Sequence, residues 1–346
     1  MFKELPMVSI ILLNYNGKRF LDGCFSSLSR INYPKSCYEV IMIDNGSLDD
    51  SVEFVRQNFP WVKILALNGN YGYAGGNNRG VDVAKGDFIV FLNNDTVVDE
   101  EWLAELVNVM LLDDKIAICG SKVVSMDNPH HVQYAGGFLN LVGGALFYPF
   151  HGQKSRHDFY LVGSIFGASF LMKKVIFKKI GGFDESFFMY SDENDLCLRA
   201  WIQGYHVAYS PYSIVYHYGG GTAGTLSRNQ SCILSARLRS SLRIYYGNRN
   251  SIASIIKNFQ IKNLFIGIAF SYLYLLFQLI LLLRVKSSEV KFLVKAGFWP
   301  IKNLKKIWKK RLIVQKCRKI NDQTLLEWKL LLSITDMLRL ILCWTQ

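Results

Sequence analysis

The sequence predicts an α/β fold, a mostly parallel sheet flanked by helices and followed by a helical C-terminal region, on three observations. Short apolar runs stop abruptly at clusters of Asn, Asp and Gly, as buried parallel strands do. Patterns of helical period lie between those runs, and strands alternating with helices build parallel sheets through right-handed crossovers. Charge is divided along the chain: residues 1–230 hold 19 Lys and Arg against 23 Asp and Glu, whereas residues 231–346 hold 21 against 4. With 346 residues, half of them hydrophobic, the chain can form one large α/β domain with an appendage, or two domains, and its composition is not that of a disordered chain. The expected division is an α/β domain over 1–250 and a basic, hydrophobic helical tail over 251–346.

Val8 to Leu13 is a continuous apolar run rich in β-branched residues, closed by Asn14-Tyr15-Asn16-Gly17. Phe20, Leu21, Cys24 and Leu28 then recur at helical spacing. Tyr38 to Ile43 ends at Asp44-Asn45-Gly46-Ser47, Ser51 to Phe59 reads as a helix, and Val62 to Leu67 is a third strand. The run Phe88 to Leu92 stops at Asn93-Asn94-Asp95. Asn14 to Asn16, Asp44 and Asp95 therefore share one rim, where open α/β sheets bind their ligands. We read Asp95 as a metal and diphosphate site at a strand end. The competing reading is that Asn94 and Asp95 turn the chain and cap the helix expected near Glu100.

Between the third and fourth strands, Asn68 to Gly80 is too rich in glycine for ordinary packing. A helix beginning near Gly75 would offer free N–H groups to a phosphate, with a plain flexible loop as the alternative. No G-x-G-x-x-G follows the first strand, which argues against a dinucleotide-binding dehydrogenase. Further on, Glu101 to Leu112 reads as an amphipathic helix and Ile116 to Cys119 as a strand. Met126 to His157 is a polar, glycine-rich region expected to cover the site, Leu161 to Met172 is apolar and small, and Lys173 to Ile180 reads as a helix. Gly181-Gly182-Phe183-Asp184-Glu185 then leads to Asp192-Glu193-Asn194-Asp195, which opens a helix through Leu196, Arg199, Ala200 and Trp201. Acidic residues complement a helix start, but three in four positions exceed what capping needs. Another apolar run from Ile214 ends at His217, followed by Tyr218-Gly219-Gly220-Gly221. A lone histidine is more often structural than a ligand, and a place at a strand end shifts that balance.

Seven cysteines lie far apart, without metal-type or redox-type pair spacing, and read as reduced thiols. Met1 to Pro6 carries Lys3 and Glu4 and no apolar leader, so residence on the cytoplasmic side is expected.

On these motifs, the chain from about Pro6 to Asn250 resembles a family 2 glycosyltransferase with the GT-A (Rossmann-like) fold, of the rhamnosyltransferase-like branch. The residues that carry the resemblance are Asn14-Tyr15-Asn16, Ile43-Asp44-Asn45-Gly46-Ser47, Asn70-x-Gly72 with Gly75-Gly76-Asn77, Asn93-Asn94-Asp95, the Gly-Gly-Phe-Asp-Glu stretch, and Asp192 to Arg199. The resemblance implies a nucleotide-sugar site along Asn14, Tyr15, Asn16, Asn45, Asn70, Gly72, Gly75, Gly76, Asn77, Asn94 and Asp95, with Asp44 on the nucleotide base or ribose. It makes Asp95 the metal-binding end of a D-x-D-like motif and His217 a second metal ligand. Asp192 and Glu193 match the acidic pair that supplies the catalytic base, Glu193 being the first choice and Asp192 the second. Two positions depart from the pattern: Asn93 stands where the first aspartate is often found, and the pair reads Asp-Glu where Glu-Asp is commoner.

The chemistry agrees with these assignments. A leaving nucleoside diphosphate needs its charge neutralised, which a hard ion such as Mg²⁺ or Mn²⁺ does well, and an acceptor hydroxyl needs a carboxylate to take its proton. The expected activity is inverting, metal-dependent hexosyl or rhamnosyl transfer from dTDP-rhamnose or a UDP-sugar to a lipid-linked glycan in polysaccharide synthesis. A nucleotidyltransferase would show a basic, Gly-rich loop after the first strand, where this chain has Asn14-Tyr15-Asn16-Gly17. A membrane-tethered or nucleic-acid-binding scaffold with a vestigial transferase domain is the reading from another class.

In the tail, Leu264 to Leu283 is an uncharged run of about 20 residues, long enough to cross a bilayer as a helix. Basic residues stand on both sides of it, from Arg243, Arg249, Lys257 and Lys262 to Arg284, Lys286 and the Lys302 to Arg311 cluster, and such flanks favour the cytoplasm. The expectation is a re-entrant or in-plane, monotopic element on the cytoplasmic face. Phe292, Phe298, Trp299 and Trp308 among the basic residues suit an anionic membrane surface rather than nucleic acid. A buried core helix is the alternative.

Overall fold

The apolar runs that close on Asn and Asp form the centre of the sheet. In a computed structural model, which describes residues 5–147, 159–219 and 240–344, β1 (Val8–Asn14), β2 (Tyr38–Asp44), β3 (Lys63–Ala66) and β4 (Phe88–Asn93) are parallel, in the order β4-β1-β2-β3. The runs are continuous in sequence because both faces of the sheet are covered. Val8, Ile10 and Leu12 pack under α1 (Lys18–Leu28), α2 (Ser51–Asn58) and α4 (Trp102–Leu112), while Ile11, Ile41, Ile43 and Phe91 join the opposite core with α3 (Gly72–Val83). Gly220, Gly221, Cys232 and residues 148–157 of the polar region lie outside the described residues. Cys24, Cys37, Cys119, Cys197 and Cys317 are free thiols.

Beyond β4 the expectation of a mostly parallel sheet is corrected, because the ten-stranded sheet is mixed. Its path is β10-β12-β6-β11-β4-β1-β2-β3, with β5 (Thr96–Val98) beside β12 and β7 (Val132–Tyr134) beside β6. β6 (Ile116–Ser125) ends on the rim that carries Asp44 and Asp95. Among the described residues between them no helix carries the chain back to the far edge, and β11 (Ser169–Lys173) starts from that rim and runs antiparallel between β4 and β6. The intervening chain adds β8 (Gly137–Asn140), β9 (Ala145–Phe147) and β10 (Tyr160–Leu161). After α5 (Lys174–Lys179) and α6 (Asp192–Ile202), β12 (His206–His217) returns parallel to β6 and delivers His217 to the rim.

The C-terminal region is helical: α7 (Asn248–Asn258), α8 (Ile261–Arg284), α9 (Val290–Lys302), α10 (Leu304–Lys316), α11 (Asp322–Glu327) and α12 (Ile334–Trp344). A short strand, β13 (Leu331–Leu332), pairs with β8 and completes a second sheet, β13-β8-β9. Residue 250 falls inside α7, whose Ile252, Ile255 and Ile256 share a core with Leu196 and Trp201 of α6. Arg311 ties α10 to the end of α7 by donating to the carbonyls of Ile256 at 2.7 Å and Phe259 at 2.6 Å.

α8 is inverted relative to a helix of a soluble protein, which buries its apolar face. Its inward stripe is Asn263, Leu264, Gly267, Ser271, Leu275, Gln278 and Leu282, four of the seven being polar or lacking a side chain. Phe265, Leu273, Leu276, Phe277 and Leu283 are exposed.

Candidate active site

The strand ends on the rim are tied together by amides. The Asn14 side chain donates to Asp44 Oδ1 at 3.1 Å and to Ser47 Oγ at 3.2 Å, and its own oxygen accepts from Asn94 Nδ2 at 2.8 Å. Gly17 makes the last contact possible, since a Cβ there would lie 2.1 Å from Asn94 Nδ2. The backbone N–H of Ser47 donates to Asp44 Oδ2 at 3.0 Å, so the Asp44 carboxylate accepts bonds on both oxygens. Tyr15 is half-buried in the same loop, and Asn16, at φ 51°, accepts from the Leu48 N–H at 2.7 Å. A cleft of about 510 Å³ opens beside Asn16, lined by Lys18, Arg19, Asp22, Asp49 and Phe54.

The glycine-rich stretch differs from the expectation of free N–H groups for a phosphate. α3 begins at Gly72, and its first amides are already engaged: the Tyr71 N–H donates to Asn45 Oδ1, the Gly72 N–H to Asn70 Oδ1, and the Tyr73 and Ala74 N–H groups to the Phe188 carbonyl. Asn45 also donates to Asn70 Oδ1 at 3.0 Å and to the Gly72 carbonyl at 3.1 Å. A Cβ on Gly76 would lie 2.4 Å from Leu13 Cδ1, so that glycine lets the helix approach the sheet. Gly75 is buried, with Tyr71 Cβ 3.0 Å from where its own Cβ would stand, and the buried Asn77 donates to the Tyr73 carbonyl within the helix.

Asp95 and His217 meet where β4 and β12 end. His217 Nε2 lies 3.3 Å from Asp95 Oδ1, both side chains being buried. The other ring nitrogen of His217 is 2.9 Å from Gln133 Oε1, which fixes the ring so that Nε2 faces Asp95, as outer partners do for metal-binding histidines. One carboxylate oxygen and one imidazole nitrogen could supply two ligands of a divalent ion. Among the described residues no group of three or more His, Cys, Asp or Glu forms a fuller cage.

The acidic cluster at the start of α6 divides into two kinds. Asp195 is structural: it accepts from Arg199 Nε at 2.8 Å, Lys257 Nζ at 2.9 Å and Asn258 Nδ2 at 2.8 Å. Burial would raise its pKa, but the Lys257 and Arg199 charges outweigh that and hold it below the usual carboxylate range. Asp192 is buried with Oδ1 lacking any partner, and burial together with the neighbouring Glu193 and Asp195 charges pushes its carboxyl well up. Burial raises Glu193 too. Both carboxyls are thereby held above the usual carboxylate range.

Residues 166–168 run between the two halves of this arrangement. Phe166 presents its ring to His217 at 5.8 Å between centroids, the Ala168 carbonyl accepts from Asn93 N–H at 2.9 Å, and a Cβ on Gly167 would lie 3.7 Å from Glu193 Oε2. Tyr73 closes the same corner by donating to the Gly167 carbonyl at 3.0 Å, and burial and the Glu193 and Asp192 charges push its hydroxyl well above the usual range. Sequence reasoning missed Gln133, Tyr73 and Lys257. Tyr73 was hidden in the glycine-rich stretch, Lys257 read as one of several flanking charges, and nothing in the sequence singles out Gln133.

Comparison with known proteins adds a family. A model described as glycosyl transferase family 2 matches residues 9–181, half of the chain. Among curated relatives, the probable glycosyltransferase YdaM of Bacillus subtilis is 23% identical over 222 residues, 62% of this chain and 51% of that protein. The chain spans between 25% and 51% of the length of three such relatives. Among solved structures, the mannosyltransferase PcManGT from Pyrobaculum calidifontis, in complex with GDP-Man and Mn²⁺, has a TM-score of 0.53 at 14% identity, covering 85% of this chain and 87% of that one. GalNAc-T7 with UDP, GalNAc and Mn²⁺ has a TM-score of 0.55 at 19% identity, covering 62% of this chain and 43% of that one. At these identities the likeness is one of fold, the GT-A-like α/β architecture.

Proposed function

The chain belongs to glycosyl transferase family 2, and from that premise we propose that it is an inverting glycosyltransferase of glycan synthesis. It takes a nucleotide-sugar donor, dTDP-rhamnose or a UDP-sugar, and glycosylates a hydroxyl of a lipid-linked glycan. The observation that carries this reading is that residues 166–168 run between the two groups: the Phe166 ring packs edge-on against His217, and Gly167 lies where an added Cβ would be 3.7 Å from Glu193 Oε2. A leaving-group site and a proton acceptor thus share one corner of the rim.

Asp44, held in its orientation by Asn14 and Ser47, binds the nucleotide base or ribose, with Tyr15, Asn16, Asn45, Asn70, Asn77 and Asn94 shaping the donor side. Asp95 and His217 Nε2 would hold Mg²⁺ or Mn²⁺, which supplies neutralising charge for the leaving diphosphate. Glu193 accepts the proton of the acceptor hydroxyl, with Asp192 the alternate acceptor. The acceptor oxygen bonds to the anomeric carbon from the face opposite the diphosphate, the bond from that carbon to the diphosphate oxygen breaks, and the configuration inverts. The expected boundary at residue 250 cuts α7, which packs on α6, so the chemistry belongs to 1–250 together with the rest of α7, and the helices that follow attach the enzyme to the cytoplasmic face of an anionic membrane, where a lipid-linked acceptor lies.

The test is nucleoside diphosphate release from dTDP-rhamnose and a panel of UDP-hexoses, with and without chelator. Release from one donor, abolished by chelator and restored by Mg²⁺ or Mn²⁺, is the expected result. No release from any donor with the metal and lipid-linked acceptors present would overturn the reading.

A further inference from the structure

Immediately before the helix that carries Asp192 and Glu193, the chain takes a course that side chains resist. Phe188, Tyr190 and Ser191 have φ of 67°, 67° and 63°, in the left-handed region that a Cβ disfavours. Such a segment persists only where its surroundings over-determine it. Its restraints come mainly from α7, well outside the residues that match the family model.

The fully buried Asn250 has its Nδ2 within hydrogen-bond reach of three carbonyls of this segment, Phe187 at 3.0 Å, Met189 at 2.8 Å and Tyr190 at 2.9 Å. Arg249 adds Nη2 bonds to the Ser186 carbonyl at 2.7 Å and the Phe187 carbonyl at 3.3 Å. From the opposite side, the Phe188 carbonyl is held by the first amides of α3, an approach that needs Gly72, where a Cβ would lie 2.2 Å from that oxygen. Two turns further along α7, the ammonium of Lys257 bridges Asp184 at 2.8 Å and Asp195 at 2.9 Å, and Asn258 holds Asp195 as well. α7 therefore grips the chain on both sides of Asp192 and Glu193, at 187–190 before them and at Asp195 after them.

We propose that Asn250 and Lys257 are positioning residues for the catalytic base, and that α7 is the clamp that aims it. The hydrogen bonds of Asn250 and Lys257 go to the chain on either side of Asp192 and Glu193, so their effect is geometric: they fix the entry into α6 and the rotation of its first turn. This rests on the assignment of the base made above. An angstrom of misplacement in a proton acceptor costs rate without costing donor affinity.

Two readouts on the full-length chain test it. The first is kinetic, with the donor that releases nucleoside diphosphate in the panel above. Asn250→Ala and Lys257→Met should each lower kcat by about 10- to 100-fold with donor KM within about twofold, and Lys257→Arg should recover part of the loss. In a Glu193→Gln background, Asn250→Ala should cost less than about twofold more, because residues acting through one group are not additive. The second is hydrogen exchange, which needs no turnover: Asn250→Ala should raise exchange over residues 187–196 with the central strands unchanged. Independent, multiplicative losses in the double variant, or unaltered protection of 187–196, would overturn the clamp. Undiminished activity of both Glu193→Gln and Asp192→Asn would instead overturn the base assignment. If Asn250→Ala does not fold, Lys257→Arg and Lys257→Met carry the same comparisons.

Discussion

Asp95 is a buried carboxylate held against the His217 ring at a strand end, and a buried charge is kept only where it is paired or can hold an ion. Asp95→Ala should lower turnover by several orders of magnitude while circular dichroism and melting show an intact fold; near-normal turnover in that variant would remove its role. Glu193→Gln should lower turnover by roughly 100-fold or more with nucleoside diphosphate binding retained. The same group gives a signed pH dependence. The ionised form is the base, and burial raises the Glu193 pKa above 4.5. The acid limb of kcat/KM should therefore rise with pH and have its midpoint above that of an ordinary glutamate, and a limb at or below 4.5 would contradict the assignment. At this scale the motif residues Asp44, Asp95, Asp192, Glu193 and His217 were legible because strand ends and acidic excess leave a trace in one dimension. The partners that orient or clamp them, Gln133 and Asn250, were not, because their contacts join positions 84 and about 60 residues apart.

The elements were legible where one helix or strand answers to one local pattern. β1, β2 and β4 lie where the apolar runs lie, and α6 begins at the acidic cluster. The antiparallel β11 was not legible, since its direction depends on where the preceding excursion re-enters the sheet rather than on its own residues. α3 is the element whose composition misled: its glycines read as a ligand-binding stretch, yet Gly76 and Gly80 face the sheet at close approach. A Cβ on Gly80 would lie 2.6 Å from Ile11 Cγ2 and 3.1 Å from Ile43 Cγ1. Both neighbours are β-branched and buried, so they yield little. Two effects of Gly80→Ala then compete. Helix propensity favours alanine by about 1 kcal/mol, and overpacking opposes it by about 1–3 kcal/mol. The clash should win, and the variant should melt several degrees lower; a higher melting temperature would mean that the packing of α3 on β1 and β2 is looser than its geometry indicates.

For the molecule as a whole, the question is what faces the outer side of α8. This helix is long and apolar enough to cross a membrane, about 36 Å at 1.5 Å per residue, yet only 22% of its most apolar window is buried. A core helix would bury most of that window, so the core-helix alternative is disfavoured. A perpendicular crossing is disfavoured by the other face: Asn263 bonds Asp322 at 3.1 Å, Ser271 reaches the Val142 carbonyl at 3.5 Å, and Gln278 exchanges bonds with Asn248 at 3.1 and 3.2 Å. The helix thus lies along the protein from its first turn to its last, and a crossing would pull the catalytic unit into the bilayer with it. An outward apolar face with a polar inward stripe supports the proposed attachment in the form of an in-plane helix in one leaflet. α9 extends that surface with Phe298 and Ile301, and the lysines of α9 and α10 supply attraction to anionic headgroups. Cell fractionation should recover the chain with membranes, and vesicles containing anionic lipid should bind it more tightly than neutral ones, increasingly so at low salt. Phe265→Glu with Leu276→Glu, both on the exposed face, should release the protein into the soluble fraction with its melting temperature little changed, since neither side chain is part of the core. Complete recovery of the unaltered chain in the soluble fraction would refute attachment, and protection of a C-terminal tag from cytoplasmic protease would refute the in-plane orientation in favour of a crossing.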